Sequence, residues 1–242
     1  MRLVAMVLLV AVGMAFPGVP YEEFTPDLII NSLMYTPCVY WKVMFALDSS
    51  GSIDSNEWAL SKLAARDILA IINFIPHPGS IYPNGHEIGL VRFSCTELTK
   101  VIFSLGTYPY YPANDAAIAA VPRNGTATNM YKALRLCDGQ LGDSDNRLVW
   151  MTTDGRYNEG GDPIPMATAM KKKEIIICVI AIGDDADMDV ISAIASSITV
   201  MNTSVDAFSV KCVLRYNTYA EYKSATYAAR LRVVPPELSS FA

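Results

Sequence analysis

Short, nearly continuous apolar runs alternate along this chain with segments whose apolar residues recur at helical spacing. That alternation restricts the fold more than any other feature. WKVMFAL (41–47), NRLVWMTT (146–153) and EIIICVIAI (174–182) are the length of strands and carry almost no polar face. Such strands must be covered on both sides, which a parallel sheet between two helical layers provides. The intervening NEWALSKLAARDILAIINFI (56–75) has helical period, with Asp54 or Ser55 as its cap and Pro76 just past its end. EIGLVRFS (87–94) and LTKVIFSL (98–105) are joined by too few residues for a crossover, so they are expected to pair antiparallel. Further helices are expected over 112–121, 128–137, 162–173 and 188–197, a last strand over 197–203, and a closing helix reached through VDAFSVKCVLRY and running to about 222. The expected class is α/β: a doubly wound, Rossmann-like, mostly parallel six-stranded sheet with one antiparallel edge strand and helices on both faces.

Composition narrows the role. At 242 residues, 52% hydrophobic and 18% charged, the chain can build a full core and is not of the disordered class. A formal net charge of −5 leaves no electrostatic footprint for nucleic acid, and Lys171-Lys172-Lys173 reads as a solvated helix end. MRLVAMVLLVAVGMAFPG opens with Arg2, continues with an apolar stretch from Leu3 to Val12 too short to span a bilayer, and offers small residues at Gly13 and Ala15. A signal peptide is therefore expected over 1–15, a lead-in over 16–36, the main domain over 37–222 and a tail over 223–242, with the product secreted. No later segment reaches transmembrane length. The five cysteines, Cys38, Cys95, Cys137, Cys178 and Cys212, leave at least one unpaired within the chain; with no CxxC spacing and two histidines they do not form a zinc-site pattern.

Two acids stand where such a sheet places its chemistry, at the carboxyl ends of strands: Asp48 in VMFALDSSGSIDS and Asp154 in TTDG. From Asp48, hydroxyls follow at +2 and +4, with Gly51 between them. One carboxylate and two neutral oxygens aimed at one point suit a hard divalent cation. The same string also suits a helix-capping turn, and the residues alone leave both readings open.

FALDSSGSI, EIGLVRFS, GTATNMYKAL, RLVWMTTDG and VIAIGDDADMDVISAIAS, in that order, resemble the von Willebrand factor type A domain over roughly residues 37 to 222. That resemblance implies a metal-ion-dependent adhesion site of Asp48, Ser50, Ser52, Thr128 and Asp154, with Thr126 as the other candidate threonine. It implies a Mg²⁺ or Mn²⁺ ion with one coordination position open to an exposed Asp or Glu of an extracellular protein partner, collagen or another matrix protein among the possibilities. The expected function is cell or matrix adhesion; the alternative is a structural or assembly module of the same fold that binds partners without the metal. Where the family often has paired glycines before the threonine, this chain has NGTAT. Asn124 thereby heads a glycosylation sequon close to the site, and Asn202 heads a second. The resemblance also implies a disulfide tying the domain's ends, Cys38–Cys212. Of the other cysteines, Cys178 falls within a buried strand and is expected as a free apolar thiol, and Cys95 and Cys137, which flank the site region, can pair if their Cα atoms lie within about 7 Å. An enzyme is not expected. An aspartyl-nucleophile phosphatase would need a second acid where Ser50 stands, and neither GxSxG nor a phosphate-binding P-loop is present.

Overall fold

The computed structural model describes residues 25–201 and 207–235; the expected signal segment and Asn202 lie outside them. Helix α1 (Pro26–Met34) leads into β1 (Lys42–Asp48), α2 (Ser55–Phe74), β2 (Glu87–Phe93) and β3 (Lys100–Phe103). Then follow α3 (Tyr111–Ala119), α4 (Met130–Leu141), β4 (Arg147–Thr153), α5 (Ile164–Lys172), β5 (Ile176–Ile182) and α6 (Met188–Ile194). The chain closes with β6 (Ser197–Met201), β7 (Ala207–Lys211), β8 (Val213–Tyr216) and α7 (Tyr219–Val233).

The main sheet has six strands in the order β3-β2-β1-β4-β5-β8, parallel throughout except for the antiparallel edge pair β2–β3. The expected fold class is borne out. Alternate residues of β1 enter different cores. Val43, Phe45 and Leu47 join Leu148, Trp150 and Ile180 beneath α1, α2, α3 and α7, whereas Met44 and Ala46 join Val149, Met151 and Val179 beneath α4, α5 and α6. This two-sided burial is why the strand sequences show no polar alternation. Asp54 and Glu57 close a capping box that fixes where α2 begins, directly after the DSSGS loop.

The last third of the chain differs from its sequence reading. The sixth strand of the sheet is β8, within the stretch expected to lead into a helix, while β6 pairs antiparallel with β7 in a separate two-stranded ribbon. The closing helix starts at Tyr219 and continues to Val233, past residue 222. It is anchored on α2, where Asp67 accepts from Lys223 Nζ at 2.7 Å and from Thr226 Oγ1 at 3.2 Å. Within the expected lead-in, α1 is tied to the same helix by Asp27, which receives both arms of Arg232 at 2.9 and 2.7 Å. Burial raises the Asp27 pKa, but the hydrogen bonds and positive charge around the carboxyl, those of Arg232 foremost, together outweigh it and hold the group below its ordinary value.

The cysteine pairing is also corrected. Cys212 is bonded to Cys178, with their Cα atoms 4.7 Å apart, and Cys38 is an exposed free thiol. The reason is topological. Cys212 lies just before β8, the edge strand beside β5, and its carbonyl accepts from the Val179 N–H at 2.9 Å. Cys38 lies just before β1, three strand spacings away or about 14 Å, twice the reach of a disulfide. Cys95 and Cys137 are likewise unpaired; Cys137 is buried in the core beneath α4, and burial pushes its thiol pKa up.

Candidate metal-binding site and its groove

Strands β1 and β4 are parallel neighbours, with Leu47 opposite Thr152, so their carboxyl ends deliver Asp48 and Asp154 to one edge of the sheet. Asp48 is fully buried. Its Oδ1 accepts from the Ser50 backbone N–H at 2.9 Å, which folds the loop back, and its Oδ2 accepts from Thr153 Oγ1 at 2.7 Å. Burial pushes the Asp48 carboxyl up to about 7; the Thr153 hydrogen bond opposes that rise and the nearby Asp154 charge adds to it. The Asp154 carboxyl is also raised, first by burial, with Ser52 opposing and the charges of Glu57 and Asp185 reinforcing. Two desolvated carboxylates side by side are an electrostatic cost that positive charge between them would remove.

The hydroxyls complete the set. Ser52 Oγ donates to Asp154 Oδ1 at 2.9 Å, and the Ser50 and Ser52 hydroxyls lie 3.1 Å apart. Gly51 allows the loop to run against the 123–128 segment: its N–H donates to the Thr126 carbonyl, and Ser50 forms a parallel bridge with Thr126. A side chain at Gly51 would sit 3.4 Å from that carbonyl.

The two candidate threonines have different surroundings. Thr126 Oγ1 is engaged with the buried Ser94 hydroxyl and accepts from the Cys95 N–H at 3.2 Å. Thr128 is held through its backbone, its N–H donating to Asn158 Oδ1 at 2.8 Å and its carbonyl accepting from Asn158 N–H at 3.1 Å. Its side chain lines the same groove as Ser50, Ser52 and Asp154 and is committed to no hydrogen bond among the described residues. Thr128→Ala is therefore expected to weaken Mn²⁺ binding by at least the roughly tenfold that loss of a supporting group costs a metal site. Thr126→Ala should cost less. Calorimetric titration of the two variants checks the order, and the reverse order would assign the ligand role to Thr126.

All five sequence-derived ligand candidates thus meet at one sheet edge, with only oxygen atoms presented. No group of three or more His, Cys, Asp or Glu side chains that could share a metal occurs among the described residues. The groove above them, about 780 Å³ in volume, extends from the tips of β1 and β4 toward those of β5 and β8, where Asp184, Asp185 and Tyr219 line it; Glu57, in the first turn of α2, lines it as well. Sequence reasoning missed Thr153, Asn158, Glu57 and Tyr219. Thr153 was detectable as the hydroxyl beside a strand-terminal acid; Tyr219, placed inside an expected helix, carried no signal. Asn124 lies on the loop entering the site, half-buried, its backbone N–H donating to Ser49 Oγ at 3.1 Å and its Nδ2 to the Leu98 carbonyl at 3.4 Å.

A family model for the von Willebrand factor type A domain matches residues 42–213. The chain belongs to this family. Proximal thread matrix protein 1 of the mussel byssus is similar in structure, at 22% identity and a TM-score of 0.63 over 79% of this chain and 47% of that one. This von Willebrand factor type A chain therefore spans about half the length of the mussel protein, which is also known with a zinc-occupied MIDAS motif. The manganese-loaded TRAP protein of Plasmodium vivax shares 17% identity and a TM-score of 0.57 over 79% of this chain and 73% of that one. The pilus adhesin SpaC of Lactobacillus rhamnosus GG shares 13% identity and a TM-score of 0.59 over 83% of this chain and 31% of that one. At these identities the likeness is one of fold. No curated protein matches the chain. Among the described residues no helix is long and apolar enough to cross a membrane.

Proposed function

We propose that this chain is a secreted adhesion or matrix protein that binds an acidic side chain of an extracellular protein through a divalent cation held by Asp48, Ser50, Ser52, Thr128 and Asp154. One observation carries the reading: the spacing of the donor oxygens. Oxygens around Mg²⁺ at about 2.1 Å in an octahedron lie about 3.0 Å apart along each edge. The separations Ser50–Ser52 and Ser52–Asp154, 3.1 and 2.9 Å, match that edge. The all-oxygen donor set suits Mg²⁺ or Mn²⁺, and two carboxylates balance the charge of either. The mussel structure with a zinc-occupied MIDAS motif and the manganese-loaded Plasmodium structure support a divalent ion on this fold.

When bound, the ion supplies a Lewis-acidic positive centre for a partner's carboxylate. The protein's own contribution is positional. Thr153 and the Ser50 N–H orient Asp48, Ser52 orients Asp154, and Asn158 fixes the Thr128 backbone. Such preorganisation lowers the cost of assembling the shell. Secretion and glycosylation at Asn124 and Asn202 belong to the same proposal; sugar on Asn124 would require its Nδ2 to leave the Leu98 carbonyl. A pull-down of extracellular-matrix proteins with the mature chain tests the function. Capture in Mg²⁺ that disappears in EDTA is expected; capture that survives EDTA would favour a module that assembles without its metal.

A further inference from the structure

We propose that His86 is a pH-sensitive clasp at the edge of the sheet opposite the metal site: neutral, it locks the end of α2 and the 76–86 loop to the entry of β1, and protonated, it releases them. The inference is independent of the metal-dependent reading. His86 immediately precedes β2 and Trp41 immediately precedes β1; these strands are parallel neighbours with Lys42 opposite Glu87, so both residues stand at the amino-terminal edge. The His86 side chain is buried, with the residue 2% exposed, and each ring nitrogen meets a backbone group of a different element. Nδ1 accepts from the Trp41 N–H at 2.9 Å, and Nε2 lies 2.9 Å from the carbonyl of Ile75, the C-cap of α2. A backbone N–H can only donate, so Nδ1 is bare and the single ring proton sits on Nε2, donating to Ile75.

A second ring proton has no place in this arrangement. It would occupy Nδ1 and face the Trp41 N–H, so that two donors oppose each other. Trp41 already has its indole Nε1 buried without a partner among the described residues, and its backbone N–H would become a second orphan. No neighbouring group rewards the charge. Tyr40 stands edge-on to the ring at 5.8 Å, its hydroxyl accepting from that of Tyr82 at 2.6 Å. Burial lowers the His86 pKa; the Ile75 carbonyl opposes this, and the charge of His77 adds to the lowering. Of the chain neighbours, Glu87 lays its carboxylate against Gly106, beyond β3, and Lys42 is a further cation. An opened segment lets the ring bind a proton at its ordinary value near 6.5 while the closed clasp resists it. The closed form is therefore fully favoured above that pH, loses ground as pH falls below it, and stops losing once the lower closed-state value is passed. Release stays local, because Val43 to Leu47 remain paired with β2 on one side and β4 on the other.

The test is amide hydrogen exchange of the full chain in EDTA, which keeps the result apart from any metal. Corrected for the intrinsic exchange rate, protection of the Trp41 N–H relative to that of Val149 in β4 should fall about tenfold between pH 7.5 and 5.5, the linkage of one proton taken up on opening. In His86→Asn, whose side-chain oxygen can still accept from Trp41 but does not titrate, that dependence should vanish. A flat ratio in the wild type would overturn the clasp. So would an unchanged pH dependence in His86→Asn, which would assign the response to another group, or equal losses at Trp41 and Val149, which would assign it to the whole domain. Thermal melting checks that the variant folds. Should it not, the wild type still decides: the ring-nitrogen shifts of His86 should report the Nε2–H tautomer at pH 7.5, and its conversion to imidazolium should coincide with the loss at Trp41. An Nδ1–H tautomer, or an imidazolium formed with Trp41 protection intact, would overturn the proposal.

Discussion

Asp48→Ala is expected to abolish measurable binding of Mg²⁺ and Mn²⁺ while leaving the fold in place. Asp48 is the fully buried acid of the pair, held by Ser50 and Thr153 before any ion arrives, so no other side chain can move into its position. Its loss leaves Asp154 as the single charged donor among neutral hydroxyls, too little to repay the dehydration of Mg²⁺. The fold should survive because the carboxylate is costly where it stands: burial raises its pKa to about 7, so the metal-free protein gains little from keeping it charged. Two measurements separate these effects. In EDTA, wild type and variant should melt within a few degrees of each other. At a Mg²⁺ concentration of about a hundred times Kd, the wild type should gain about 2.7 kcal/mol by mass action, or roughly 5–10 °C in Tm for a domain of this size, and the variant nothing. Unchanged calorimetric affinity in Asp48→Ala would sink the site assignment. A variant that melts far below wild type in EDTA would show instead that Asp48 is needed for folding.

Why so much of this site could be read from sequence follows from where its residues lie. Asp48 and Asp154 end fully apolar strands, and in a parallel sheet the ends of neighbouring strands share an edge whatever the loops do. Ser50 and Ser52 are within four residues of Asp48, where local turn geometry decides their direction. Thr128 is harder. Its neighbour Thr126 has the same side chain two residues away, and what distinguishes them is distant in sequence: the Ser94 hydroxyl and the Cys95 N–H, which occupy Thr126 Oγ1. Glu57, Asp185 and Tyr219 were not legible as groove residues, because they come from α2, the β5–α6 loop and α7 with no local pattern linking them. The last strands were misassigned for a related reason. SITVM and FSVKCVLRY both have strand character, and periodicity does not state which of them enters the main sheet. Cys212 held the missing information: a cysteine that must meet Cys178 on the inner face of β5 requires its own segment to be the strand beside β5.

Removing the Cys178–Cys212 bridge is accordingly expected to be the most damaging change to stability. Both sulfurs lie in the core beneath α2 and α7, and the bond closes a chain segment of 34 residues that contains α6, the β6–β7 ribbon and the entry to β8. In the chain-entropy account a loop of that length stabilises the native state by about 4 kcal/mol, an upper figure because real bridges often deliver less. Here the loss is concentrated at a weak place. β8 is an edge strand of four residues paired on one side. It also sets the start of α7, the helix that carries Tyr219 to the groove and buries Tyr222, whose hydroxyl accepts from the Trp150 indole N–H at 3.1 Å. In Cys178→Ala/Cys212→Ala, urea denaturation should shift its midpoint downward by about 1–2 M, given an unfolding slope of about 2–3 kcal/mol per molar. Hydrogen exchange should rise first in β8 and the first turn of α7, since local opening starts where few contacts hold. Counting thiols gives the complementary result. The denatured, unreduced protein should react at three cysteines, Cys38, Cys95 and Cys137, and the native protein fastest at exposed Cys38. Non-reduced peptide mapping that joins Cys38 to Cys212 would overturn the pairing, and with it the placement of β8 at the edge of the sheet.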